Sequence, residues 1–175
     1  VAKSHFADEG CVAIGGPGIT PPNNSFWQKV SGASFLSRAS GGFPERYIPV
    51  GKSKMVDDWP SVNLMVRRDY FLEVGGFDTD FWPGEDTILC KKLNANGTAS
   101  VKYVPDLIVW HHRREGILRH LKQIGEYARH RGYFTRRHPD NSLKLIYFIP
   151  TCFVGFSFLS CFWAIIPEPF NIGLP

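Results

Sequence analysis

Residues 62–90 read VNLMVRRDYFLEVGGFDTDFWPGEDTILC, and the punctuation of this stretch decides the fold. The apolar run at 62–66 reads as a strand. Residues 69–74 then form a short helix that Gly75 and Gly76 stop. A second helix opens at Gly84-Glu85-Asp86 and carries Ile88, Leu89 and Leu93 at helical spacing, with Gly97 to end it. Upstream, CVAI at 11–14 is a short apolar run between Gly10 and GGPG and reads as a buried strand. GGPGITPP at 15–22 reads as loop. Asn24 or Ser25 can cap a helix carrying Phe26, Val30 and Ala33. Residues 37–60 are rich in Gly, Pro and charge and read as a long irregular segment, which in a compact domain is usually functional or disordered. Downstream, residues 101–104 and 107–110 are two short strands around Pro105-Asp106. Short strands alternating with helices argue for an α/β domain.

The last third changes character. Residues 115–130 have Ile117, Leu121, Ile124 and Ala128 on one helical face beside Arg119, Lys122 and Arg129. That composition suits a helix lying on an anionic membrane surface, and equally a solvated helix packed on the domain. Residues 145–166 read LIYFIPTCFVGFSFLSCFWAII without a charge. A helix of that length spans roughly 30 Å of hydrocarbon, so a transmembrane helix is expected rather than a core helix. Lys122, Arg129, Arg131, Arg136, Arg137 and Lys144 precede it and only Glu168 follows, which places the globular part on the cytoplasmic side. The expected organisation is a catalytic part over 1–114, a basic interfacial segment over 115–142, the membrane helix over 143–166, and a truncated non-cytoplasmic loop over 167–175. The first residues, VAKSHFADEGCVAIGG, read as a helix end entering a strand, not as a signal peptide. Both ends read as cut from something longer.

Bulk properties exclude little. A net charge of +4 over 175 residues is a mild basic excess and does not argue for nucleic acid. Cys11, Cys90, Cys152 and Cys161 form no C-x-x-C pair, so neither a zinc site nor a disulfide framework is expected.

Three blocks carry chemistry. Glu85 and Asp86 open a helix behind Gly84, where the first turn favours negative charge and opposes the pKa rise from burial. An acid held so can stay ionised and accept a proton from a hydroxyl, though simple helix capping accounts for the same pattern. His111-His112-Arg113-Arg114 ends a strand, where imidazoles can ligate a metal and guanidiniums can pair with phosphate, or the four can form a solvated basic strand end. The Gly-rich loop at 15–22 permits close backbone approach to a ligand but is weak alone.

The ordered series VAIGGPGITPP (12–22), residues 62–90, and YVPDLIVWHHRR (103–114) resembles family 2 glycosyltransferases of the bacterial exopolysaccharide, succinoglycan-biosynthesis-like type, over nearly the whole chain. The resemblance implies the C-terminal part of a GT-A catalytic domain with a first transmembrane helix. It also implies a nucleotide-diphospho-sugar donor, a divalent metal (Mg2+ or Mn2+), and inverting transfer to a lipid-linked or glycan acceptor at the bacterial plasma membrane. By the same resemblance Asp86 matches the catalytic base and Glu85 its orienting or acceptor-binding neighbour, with Gly84 in the substrate site. His111, or His112 if the register shifts by one, would reach the metal or the diphosphate. Arg113 and Arg114 would face the diphosphate or the membrane lipid. The family's Asp-x-Asp metal motif and nucleotide-binding strands are expected upstream of this region, so the chain alone is expected to be inactive; Asp78-Thr79-Asp80 lies too far downstream to serve. Gln123-Ile-Gly-Glu126-Tyr127 only loosely resembles the Gln-x-x-Arg-Trp of processive synthases, which favours single-sugar transfer. The competing readings are a processive polysaccharide synthase and a non-catalytic lipid-binding membrane protein.

Overall fold

The computed structural model describes residues 2–7, 10–37, 40, 43–78, 80, 82–95 and 100–165. After a short helix α1 (Ala2–His5), strand β1 (Cys11–Gly15) is buried at every position, as its unbroken apolar run requires. It pairs in parallel with β5 (Ser100–Tyr103) and antiparallel with β4 (Leu64–Val66), and β3 (Lys54–Val56) joins the far edge of β5, giving the order β3-β5-β1-β4. The fold is thus α/β with a mixed sheet. One core joins Val12 and Ala13 of β1 to Val101, Tyr103, Trp59 and to Leu89, Cys90 and Leu93 of helix α4 (Glu85–Asn94). A second unites Cys11, Ile14, Val104 and Leu107 with Ala2 and Phe6 packed against them. Cys11 and Cys90 are free and buried, and burial pushes the Cys90 thiol up to about 12.

The loop expected at 15–22 contains a strand. Segment β2 (Gly18–Ile19) runs parallel to β6 (Val109–Trp110) as a separate two-stranded sheet. The Pro17 carbonyl accepts from Val109 N–H at 3.1 Å, and the Ile19 carbonyl from His111 N–H at 2.8 Å. A Cβ on Gly16 would overlap the Leu107 carbonyl, so the approach of the two segments demands glycine there. The stretch at 37–60 likewise holds a 3-10 turn (Pro44–Arg46) and β3.

Helix α2 (Phe26–Ser34) starts where expected. Ser25 caps it, Oγ accepting from Gln28 N–H while Gln28 Oε1 accepts from Ser25 N–H, a reciprocal capping box. Of the residues at helical spacing, Phe26 and Val30 face outward, while Ser31 and Gly32 are buried. The partner of this face is polar. His120 lies with Nδ1 2.8 Å from Ser31 Oγ and Nε2 3.3 Å from Ser34 Oγ. Ser34 Oγ donates to the Ser31 carbonyl at 2.8 Å. With its proton so engaged, Ser34 Oγ accepts from His120 Nε2–H, and in the neutral ring Nδ1 then accepts from Ser31 Oγ–H. Helix α3 (Arg68–Glu73) ends in a Schellman motif, with Gly76 N–H on the Phe71 carbonyl at 2.9 Å and Gly75 N–H on that of Leu72 at 3.1 Å. Gly75 has φ of +79°, which a side chain would strain. The Gly97 expected to end α4 lies outside the described residues.

His120 belongs to α5 (Ile117–Arg137), which runs further than the expected 115–130. Its expected apolar face is exposed at Ile117, Leu121 and Ile124, and Phe134 is its buried residue. A short helix α6 (Pro139–Ser142) and a 3-10 turn (Leu145–Phe148) lead into α7 (Ile149–Ile165). Pro150 sits in the first turn of α7, where its missing N–H costs no helical bond. The apolar span over Leu145–Ile165 is 21 residues, long enough to cross a membrane, and none of it is buried against the domain. Ile166, Glu168 and the expected loop at 167–175 lie outside the described residues.

Candidate active site

Helix α4 begins at a glycine. Gly84 is its N-cap, with φ of 131° and no side-chain cap. The Glu85 carboxylate reaches back to accept from Gly84 N–H at 2.9 Å. Asp86 Oδ1 accepts from its neighbour Thr87 N–H at 2.8 Å, and Oδ2 accepts from Ser61 N–H at 3.0 Å. Ser61 belongs to the segment Asp58-Trp59-Pro60-Ser61 that leads to β4. Trp59 anchors that segment, 1% exposed, with its indole N–H on the Gly16 carbonyl at 3.1 Å and its ring against Tyr103.

These groups border a cleft of about 650 Å³. Gly84, Glu85, Asp86, His111, His112, Arg113 and Arg114 all line it, so the two motifs separated in sequence meet at one place. Helix α5 contributes Gln123, Glu126, Tyr127, His130 and Arg131. Neither Asp78 nor Asp80 lines the cleft; Asp78 faces Lys92 at 3.9 Å.

The electrostatics of Asp86 differ from expectation. Burial raises its pKa above the ordinary carboxylate value, and the nearby Asp58 and Glu85 carboxylates raise it further. The Ser61 and Thr87 N–H groups lower it without offsetting burial. The first-turn position therefore does not win. A base with a raised pKa binds a proton more readily, and it loses function as pH falls through that pKa. Glu85→Gln removes one of the charges that raise it. The acid limb of kcat/KM against pH should therefore move to lower pH in this variant; a limb that stays in place would disconnect Asp86 from the rate.

His111 and Arg113 form a unit. Arg113 is 7% exposed. Its Nε donates to Thr20 Oγ1 at 3.0 Å, Nη2 donates to the Gly18 carbonyl, and Nη1 lies 2.6 Å from His111 Nδ1. A guanidinium only donates, so His111 Nδ1 accepts and the proton of the neutral ring is on Nε2. Burial, with Arg113 and His112 beside it, lowers the His111 pKa and favours that neutral ring. Arg113 thus fastens the strand end to β2, and its guanidinium stacks 5.1 Å from the centre of the Tyr47 ring. Arg114 is exposed at the cleft.

His112 Nδ1 lies 2.5 Å from Asn24 Oδ1 and donates to it, so in the neutral ring the lone pair is on Nε2. His111 offers an Nε2–H, which is a donor and not a ligand. Among the described residues no group of three His, Cys, Asp or Glu side chains is placed to hold a metal ion. The described side chains of this cleft do not by themselves fit a divalent ion, and they do offer N–H donors to an anion.

With this geometry in view, comparison with known proteins is informative. The chain is 30% identical over 102 residues to the pre-mycofactocin glycosyltransferase of Mycobacterium tuberculosis, in strains CDC 1551 and H37Rv alike. The relationship is to a glycosyltransferase. The match takes in 58% of this chain and 22% of the relatives, so the chain spans about a fifth of the length of the curated relatives it matches. No family model matches the chain, and no solved structure matches it. The glycosyltransferase-like relationship supports a transferase kind of activity.

Sequence reasoning missed several residues of this cleft. Arg46 and Tyr47 line it from the stretch read as irregular, and Arg46 pairs with Asp58 at 3.0 Å. Trp82 and His130 line it too. The length of the 37–60 segment was the only available signal for the first two.

Proposed function

We propose that the chain is part of the catalytic domain of an inverting, family 2 type glycosyltransferase with a GT-A fold. It would move a sugar from a nucleotide-diphospho-sugar to an acceptor hydroxyl in exopolysaccharide or cell-surface glycan synthesis. The observation that carries this reading is Asp86, held by two backbone N–H groups and lining one cleft with His111 and Arg114. The acceptor oxygen attacks the anomeric carbon from the side opposite the diphosphate, the bond to the diphosphate oxygen breaks, and configuration inverts. The hydroxyl proton passes to Asp86. Glu85 orients the acceptor. The electron pair leaves with the nucleoside diphosphate, whose charge faces His111 Nε2–H and Arg114. Arg113 acts through His111, by fixing its tautomer. A divalent ion, implied by the resemblance, would supply further charge neutralisation, but no step is assigned to it because the described residues do not make its site.

The basic flank before residue 145 and the exposed apolar side of α5 support attachment of a cytoplasmic domain to the bacterial plasma membrane. Membranes carrying the full protein, incubated with labelled uridine- and guanosine-diphospho-sugars, should transfer label to a lipid-linked or glycan product. The protein should stay in the pellet after carbonate extraction. A folded protein that moves label from no donor, or that carbonate releases, would sink the corresponding half of this reading.

A further inference from the structure

We propose that Trp82 is the platform on which the ring of a carbohydrate acceptor stacks, so that the hydroxyl offered to Asp86 belongs to a neutral pyranose. The inference rests on the transferase reading for the proton transfer, but ring binding itself does not depend on it. Trp82 is 68% exposed and lines the same cleft as Glu85 and Asp86. The contrast with Trp59, at 1%, is informative: packing explains one indole and not the other. A large apolar side chain held open at a cleft is a feature of binding surfaces.

The neighbours of Trp82 narrow the ligand. A pyranose has an apolar face of axial C–H groups and a rim of hydroxyls. An indole takes the first, and carboxylates accept hydrogen bonds from the second. Glu85 and Asp86, three and four residues on, supply those carboxylates. A phosphate-terminated acceptor would meet repulsion here, since the charges nearest along the chain, Asp78, Asp80, Glu85 and Asp86, are all acidic. The cations of the cleft belong to other segments: Arg46 to the 3-10 turn, Arg114 to the stretch after β6 and Arg131 to α5. The cleft therefore divides its chemistry, with an indole and two acids on one segment for an uncharged polyol and cations of other segments for an anion.

The test uses the full protein in detergent micelles without donor. Saturation-transfer NMR is recorded with the methyl glycosides of glucose, galactose and mannose, for the wild type, Trp82→Phe and Trp82→Ala. At least one glycoside should receive saturation at its ring C–H groups. Trp82→Phe should retain it, and Trp82→Ala should weaken binding by roughly 5- to 10-fold, as expected for losing one aromatic face. In transfer assays the acceptor KM should rise by the same factor, with donor KM and melting temperature unchanged. Lost sugar binding in Trp82→Ala supports the platform even if the wild type transfers nothing, in which case only the transferase reading fails. Absence of saturation for all three glycosides in the wild type overturns the proposal, as does unchanged binding in Trp82→Ala. Weaker partition of Trp82→Ala into lipid vesicles, with sugar affinity intact, also overturns it and assigns Trp82 to the bilayer surface.

Discussion

Replacing Asp86 by asparagine is expected to lower sugar transfer on the order of 10²–10⁴-fold, the range for loss of a general base. The acceptor hydroxyl must lose its proton as the new bond forms, and an amide cannot take it. Donor affinity should hold, because the groups assigned to the diphosphate follow β6. Stability should change little, for two opposed reasons. Asp86 accepts one N–H on each oxygen, and asparagine keeps one acceptor and turns its amide toward the other N–H, losing a bond. Against that, the carboxyl pKa is raised in the folded protein. A raised folded value means that the carboxyl favours the fold at low pH and that this contribution is lost as pH rises through it. At neutral pH the buried charge is a cost that asparagine removes. The measurement is initial rate at saturating donor, with donor affinity and thermal melting alongside. Turnover near wild type in a folded variant would remove Asp86 from the mechanism.

Trp59→Ala should cost about 3–5 kcal/mol of stability, the usual penalty for truncating a buried aromatic. Domains as a rule hold only about 5–15 kcal/mol in total. The ring is 1% exposed, packs on Tyr103, and closes the space that Gly15 leaves open, since a Cβ there would strike the indole. Its N–H would leave the Gly16 carbonyl short of a partner. Ser61, two residues on, holds Asp86, so transfer should fall as well. Trp59→Phe, which keeps most of the apolar contact, should lose less. Chemical denaturation of both variants measures this. An alanine variant within 1 kcal/mol of wild type would show that the core closes without the ring, as surface positions do.

What the sequence made legible followed local rules. The CVAI run announced a strand buried on both faces, Ser25 announced a cap, and Gly75-Gly76 announced a helix stop, because each signal lies within the element it controls. The pairing of Gly18–Ile19 with Val109–Trp110 was not legible, since two-residue strands have no period and their partner is some ninety residues away. Helix α2 turned its other face inward because His120, equally remote, supplied hydrogen bonds that Phe26 and Val30 cannot use. The candidate site residues were legible as motifs, and the structure brings them to one cleft. Their electrostatics were not: the pKa of Asp86 depends on burial and on Asp58, and the tautomer of His111 on a guanidinium folded back onto Gly18.

The clasp between His120 and the two serines of α2 has a mechanical side. Helix α5 is a single rod from Ile117 to Arg137, pinned near its start by that clasp. Its middle turns form part of the cleft through Gln123, Glu126 and Tyr127, and its far end runs by way of α6 to the apolar span. The rod is held near its far end too, where Phe134 is buried and Arg131 lies over the Tyr147 ring, so the cleft wall it forms is braced on both sides.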